Sequence, residues 1–182
     1  MQDDNKDNDV IPNEPFFSPE DENPQPTNGP DGVPLMINGQ YIKDLSFEAP
    51  NAPDVFSLIQ NETPNIEVNI DVEAAPKGDN LYEVELKVNA KAEVKDQLVY
   101  LCEVLYAGLF TVNVPQEHVG PVLLIECPLI IFPFMRRIVA DLTGDGGFAP
   151  LMLAPIDFAS LYQQRVMATS ENKPTESSEE GN

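Results

Sequence analysis

The sequence predicts an α+β fold, a four-stranded antiparallel sheet followed by packed helices. Three observations carry the prediction. Between residues 66 and 93 apolar and polar side chains alternate with a period of two. Turn-forming residues separate the alternating runs. After Pro115 the alternation gives way to a long apolar stretch that ends in glycines. Strands first and helices afterwards is the order of an α+β chain with its helices on one sheet face.

The strands are predicted in order. Tyr41 to Phe47 reads as the first. In the second, Ile66, Val68, Ile70 and Val72 alternate with Glu67, Asn69, Asp71 and Glu73. In the third, Tyr82, Val84, Leu86, Val88, Ala90 and Ala92 alternate with Glu83, Glu85, Lys87, Asn89, Lys91 and Glu93. Both runs thus have one wet, mostly acidic face. Pro76, Gly78, Asp79 and Asn80 supply turn chemistry between them, which implies an antiparallel hairpin. A Lys95-Asp96 turn leads into the fourth run, Gln97 to Leu109. That run sets Leu101, Glu103 and Leu105 on one face and Tyr100, Cys102, Val104 and Tyr106 on the other. Apolar groups on both sides imply contacts on both faces.

Beyond Pro115 the reading is a short helix, a break near Pro128 and a main helix through Asp141, with Pro133 in its first turn or at a kink. Thr143 to Gly147, TGDGG, reads as a turn, because it follows a helix and lacks both the lysine of a phosphate loop and the spacing of a dinucleotide fingerprint. Asp157 is placed to cap a last short helix that carries Phe158, Leu161 and Tyr162. From Leu123 to Leu142 the helical region is apolar nearly all round, with Arg136, Arg137 and Asp141 as its polar stripe. Such a helix must be covered on more than one side, and a single sheet covers only one. The uncovered side calls for a second subunit or a bound chain.

Composition divides the chain into an acidic, proline-rich arm at 1–36, a folded domain at 37–168 and an acidic tail at 169–182. The arm and tail have too little apolar content to offset chain entropy and are expected to be disordered. Residues 1–32 hold nine acids and one lysine, and 169–182 hold four acids and one lysine, so much of the net charge of −21 remains in the middle. A surface this acidic repels phosphates and argues against nucleic-acid binding. The acidic start, MQDDNKDNDV, is unlike a signal peptide, and no apolar run approaches a membrane span, so the cytosol is the expected compartment. Cys102 and Cys127 lack metal-type spacing and read as buried apolar residues.

The chemistry of an enzyme is not visible. His118, the one histidine, sits beside Glu117 in a polar segment with no partner at ligand spacing. Glu83 and Glu85 share a strand face, but with no apolar pocket to raise a pKa they read as a solvated face. No metal or cofactor is expected.

Three segments go beyond pattern: KDLSFEAPNAPDVF at Lys43 to Phe56, YLCEV at Tyr100 to Val104, and ECPLIIFPFMRRIVADLTGDGGFAPLMLAPIDFASLY at Glu126 to Tyr162. Together they resemble the SecB protein-export chaperones over about residues 40–163. The resemblance implies a tetramer built as a dimer of dimers, with helices sandwiched between sheets. It implies an ATP-independent holding chaperone that binds unfolded precursor proteins in the cytosol and hands them to the SecA motor ATPase. SecA's basic tail would dock on the acidic outer sheet face.

Carried over by position, Asp44, Glu48, Leu101 and Glu103 fall on the docking face, and Cys102, Val104 and Tyr106 on the subunit-contact side. Candidates for the client groove are Phe56, Leu58, Ile59, Tyr106, Phe110, Leu151, Met152, Leu153, Phe158 and Tyr162. The chain departs from the family pattern in the crossover after Phe56, where SLIQNETP has no tryptophan and is slightly longer, and in its extended acidic arm. The alternative within the same fold is a SecB-like chaperone dedicated to one client, such as a toxin-antitoxin partner.

Overall fold

Two tight turns and one long crossover build the sheet. Lys95 and Asp96 both adopt left-handed backbone angles, φ 49° and 61°, the geometry of a two-residue hairpin turn that matches strand twist. Asn80, at φ 55°, makes the corresponding turn one hairpin earlier. The computed structural model describes residues 33–171. Its elements run β1 (Leu35–Glu48), α1 (Val55–Ile59), β2 (Asn65–Gly78), β3 (Leu81–Val94), β4 (Gln97–Val112), α2 (Gln116–Pro121), α3 (Cys127–Asp145) and α4 (Phe158–Glu171).

All strand pairs are antiparallel, in the order β1-β4-β3-β2. The first strand therefore pairs with the last. The connection from β1 to β2 must pass from one edge of the sheet to the other. It does so across the end of the β3–β4 hairpin, where Asn51 Nδ2 donates to the Leu98 carbonyl at 2.9 Å and Glu62 pairs with Lys95 at 2.7 Å.

The predicted alternation in β3 holds. Val84, Leu86, Val88, Ala90 and Ala92 are all fully buried, on the face that carries the helices. Cys102, Val104, Tyr106, Phe110 and Val112 extend that face along β4. Ile131, Met135 and Val139 of α3 and Phe158 of α4 close the core over it. Arg165 of α4 wraps edge strand β2, pairing with Asp71 at 2.8 Å and donating to the Val72 carbonyl, so one open strand edge is partly covered.

Several expectations are corrected. β1 begins at Leu35, inside the span 1–36 assigned to the arm, and α4 is still helical at Glu171, inside the span assigned to the tail. The rest of the arm and tail lies outside the described residues. Pro76 and Gly78 belong to β2 rather than to a turn, which an edge strand permits because its outer N–H groups need no partner.

The helices do not break at Pro128. A π-helical segment, Val122–Glu126, joins α2 to α3, and Pro128 sits in the first turn of α3, where its missing N–H costs nothing. α3 also contains Pro133 and runs on to Asp145, past the expected end at Asp141. The carbonyl that Pro133 leaves without a donor belongs to Leu129, on the exposed side of the helix, where water can reach it. Asp157 caps α4 as expected, its Oδ1 accepting the Ser160 N–H at 3.0 Å and its Oδ2 the Ser160 hydroxyl at 2.7 Å.

Candidate functional site

The outer face of the sheet gathers the four carried-over docking residues. In antiparallel pairing, residues directly opposite one another point to the same side. Glu48 stands opposite Leu101, Ser46 opposite Glu103, and Asp44 opposite Leu105. Across the other edge of β4, Lys91 faces Leu101, Asn89 faces Glu103 and Lys87 faces Leu105. Leu101 and Leu105 thus form an apolar ridge, with Asp44 and Glu48 on one flank, Glu103 between them and lysines on the other flank. Among the described residues, Asp44, Glu48 and Glu103 make no ion pair. An acid without a cation leaves its charge uncompensated on the surface.

Farther along the same face, Glu83 departs from the solvated face the sequence predicts. It is only 4% exposed. Lys77 of β2 pairs with it at 2.7 Å, Lys43 of β1 at 3.1 Å, and the Tyr41 hydroxyl donates to its second oxygen. Tyr41 lies opposite Ala107 of β4, and that small residue leaves room for side chains of β1 to reach β3. Lys77 and then the Tyr41 hydroxyl hold the Glu83 carboxyl down at about 2, against the opposing effect of burial. The same contact raises the Tyr41 phenol, and Glu85 and Glu83 raise the Lys43 ammonium. Glu83 and Glu85 are an ion-pair network, not an acid-base pair.

The second surface lies under the crossover. Ile59, Thr63 and Pro64 from the crossover, Ile66 of β2, Val99 and Tyr100 of β4, and Phe148 and Ala149 after α3 line a groove of about 310 Å³. An aromatic cluster forms its floor. Phe148 lies 5.1 Å from Phe56 and 5.2 Å from Tyr100, and Phe47 stacks on Tyr100 at 5.7 Å. Gly147, at φ 87°, turns the chain so that Phe148 faces this cluster, and a Cβ there would come within 3.2 Å of the Phe56 ring. Ile66 in the groove wall and Val68 beyond it stay 42% and 38% exposed on the helix side of β2.

Of the ten groove candidates, the structure brings only the crossover residues here. Ile59 lines the groove, Phe56 backs it through Phe148, and Leu58 is half-buried beside them in α1. Tyr106, Phe110, Leu153 and Phe158 are buried in the core and face no groove. Leu151 is half-buried, its N–H tied to the Thr143 hydroxyl at 2.8 Å. Met152 is 62% exposed and lines a separate cleft of about 540 Å³ with Phe132, Pro133, Arg136 and Arg137. Tyr162 lines a small cavity against β2. Sequence reasoning missed Tyr100 and Phe148, whose signal was present: two aromatics at the start of a strand and just past a glycine turn.

Cys102, Val104 and Tyr106, carried over as subunit contacts, are covered by the chain's own helices. They support the helix layer from below. Burial pushes the Cys102 thiol up to about 11 and the Cys127 thiol to about 12, so both behave as inert apolar residues. Uncovered apolar side chains include three on α3, where Leu129 is 51%, Phe134 40% and Ile130 38% exposed, and two of β1 beside the carried-over residues, Ile42 opposite Tyr106 at 48% and Leu45 opposite Val104 at 39%. His118 is exposed in α2, and the described residues hold no cluster of groups suited to a metal. Among them no helix is long and apolar enough to cross a membrane.

Fold and surfaces together define a class: an α+β sheet-and-helix protein with two separate exposed surfaces, one apolar and one acidic. The chain belongs to the SecB family of protein-export chaperones, whose sequence model, described as preprotein translocase subunit SecB, matches residues 29–169. It is 49% identical to the protein-export protein SecB of Rhodospirillum rubrum over 150 residues, covering 82% of this chain and 93% of that one. To the SecB of Parvibaculum lavamentivorans it is 53% identical over 132 residues, 72% of this chain and 78% of the other. Among solved structures, a SecB-like chaperone of Mycobacterium tuberculosis in complex with an antitoxin peptide shares the fold. Its TM-score is 0.53 at 20% identity, over 68% of this chain and 91% of that one.

Proposed function

We propose that this chain is an ATP-independent holding chaperone that binds unfolded precursor proteins in the cytoplasm, keeps them fit for translocation and delivers them to the SecA motor of the Sec pathway. The observation that carries the reading is the separation of the two surfaces. The groove under the crossover is open, aromatic and without charged lining, suited to apolar side chains in many sequence contexts. The outer sheet face bears unpaired acids around a leucine ridge, suited to a basic docking tail. A client and the motor can therefore bind at once, and release can follow from transfer without nucleotide chemistry in the chaperone. No nucleic acid, metal or cofactor takes part.

The working assembly is a homotetramer, a dimer of dimers. What supports it is the exposed apolar side of α3, since Leu129, Ile130 and Phe134 would each leave water on contact with a second copy. Several grooves on one assembly then hold a long unfolded client through added weak contacts.

Light scattering with in-line mass determination tests the reading, on the chain alone and then with an unfolded precursor or an unrelated folded protein. A tetramer that captures only the unfolded chain is the expected result, and a monomer indifferent to both would sink it. Capture of many precursors in a client pull-down separates an export chaperone from one dedicated to a single antitoxin-like client.

A further inference from the structure

Lys43 and Asp44 are consecutive in sequence, yet both serve the outer face of the sheet. The cause is the irregularity in register between Ile42 and Asp44, which suspends the alternation of β1 for one residue. A lysine beside a docking carboxylate is a hazard, because its long flexible stem lets it turn and offset that charge. Here it is turned the other way. Its Nζ pairs with Glu85 and, at 3.1 Å, with Glu83, both on β3, reached across β4. Glu83 is itself anchored by Lys77 at 2.7 Å and by the Tyr41 hydroxyl, so the receiving carboxylate is fixed before Lys43 arrives. Asp44 is left with no ion pair among the described residues.

We propose that Glu83 and Glu85 are positioning residues for docking: by holding Lys43 across β4 they keep the Asp44 carboxylate free for a lysine- and arginine-rich segment of the partner. The proposal rests on the docking reading above and adds two residues to it that touch no partner. It also assigns a role to the bulge, which puts Lys43 within reach of β3 while leaving Asp44 level with Leu105.

The test is a mutant cycle read by calorimetric titration of a synthetic lysine-rich peptide into the full chain, at low and at high salt. Glu83→Gln with Glu85→Gln frees Lys43, and peptide affinity falls about threefold, the scale of one exposed charge pair. Removing two acids also weakens attraction at long range, but that effect is additive with any other charge change. Lys43→Met distinguishes the two. In the native chain it changes affinity little, and in the doubly substituted chain it restores the lost affinity. An additive cycle, with Lys43→Met acting equally in both backgrounds, overturns the proposal.

Thermal melts accompany each variant. If the pair of substitutions lowers the melting temperature sharply, Glu85→Gln alone carries the cycle, since Glu85 lies at the exposed rim of the network. Asp44→Asn separates the two readings. If it leaves peptide affinity unchanged, the docking face itself is wrong and the proposal falls with it. A normal loss in Asp44→Asn beside an additive cycle removes only the proposal.

Discussion

On β4, Cys102, Val104 and Phe110 lie almost wholly out of water, while Leu101, Glu103 and Leu105 on the same strand remain part-exposed on the other side. The helix-side face is held by burial, where each methylene removed from water adds to one contiguous core. The outer face is held by charge. Lys43, Lys77 and Tyr41 converge on Glu83, while Asp44, Glu48 and Glu103 make no ion pair among the described residues. A strand that alternates so cleanly lets one element serve both purposes, since a substitution on either face leaves the other untouched. Stability and the charge of the outer face can thus vary independently, one residue apart.

The sharpest way to break that comparison is to substitute across it. Phe110→Ala opens a cavity in the core opposite α3 and should cost about 3–5 kcal/mol in denaturant unfolding, whereas Leu101→Ala should cost under about 1 kcal/mol. Equal costs would mean that the outer face is covered in solution. Asp44→Asn with Glu48→Gln should do the reverse. Each exposed pairing lost is worth up to about 1 kcal/mol, so together they weaken a basic docking peptide about tenfold with no change in melting temperature. High salt should erase the difference between native and variant, and a difference that survives high salt would argue for an apolar contact at Leu101 instead.

The groove sits between these extremes, because its residues are apolar yet open. Ile66→Ser removes a side chain 42% exposed at the groove wall. It should lower affinity for an unfolded client about threefold to fivefold while changing stability by less than about 1 kcal/mol. Phe158→Ser, at a position the sequence also offered as groove, should instead unfold the protein, because that ring is buried against Phe132 of α3. Fluorescence titration with an unfolded precursor and a parallel melt distinguish the two outcomes.

What the sequence revealed and what it hid follow one physical division. The alternation of Tyr82 to Ala92 was readable because β3 has one face in the core and one outside, and a period of two then records burial directly. The cap at Asp157 and the hairpin at Lys95-Asp96 were readable because their causes are local. Strand order was not, since pairing of β1 with β4 joins Leu35 to Val112 and depends on no short pattern. The burial of Glu83 was hidden for the same reason: its partners Tyr41 and Lys43 lie some forty residues away. The groove suffered most. Phe110 and Phe158 were groove candidates by their place in the chain, and only packing shows that α3 and the sheet already use them, while Phe148, visible just past its glycine turn, needed the fold to bring it against Phe56 and Tyr100.

The smallest effect expected tests the ionic end of the outer face by itself. Glu83 is held down at about 2 in the folded chain, from an ordinary value of 4.5. The unfolded chain therefore takes up this proton at higher pH than the folded one, and folding is favoured wherever the folded carboxylate stays ionised and the unfolded one would too. That contribution is complete above about pH 4.5 and is lost progressively as pH falls through about 2. Glu83→Gln lacks it at every pH. The gap in melting temperature between native and Glu83→Gln chains should be constant near neutrality and close between pH 4.5 and 2. A gap that stays open into that acid range would mean that Glu83 acts by shape and hydrogen bonding alone, and that the charge of Lys77 and Lys43 contributes nothing to holding three strands together on this face.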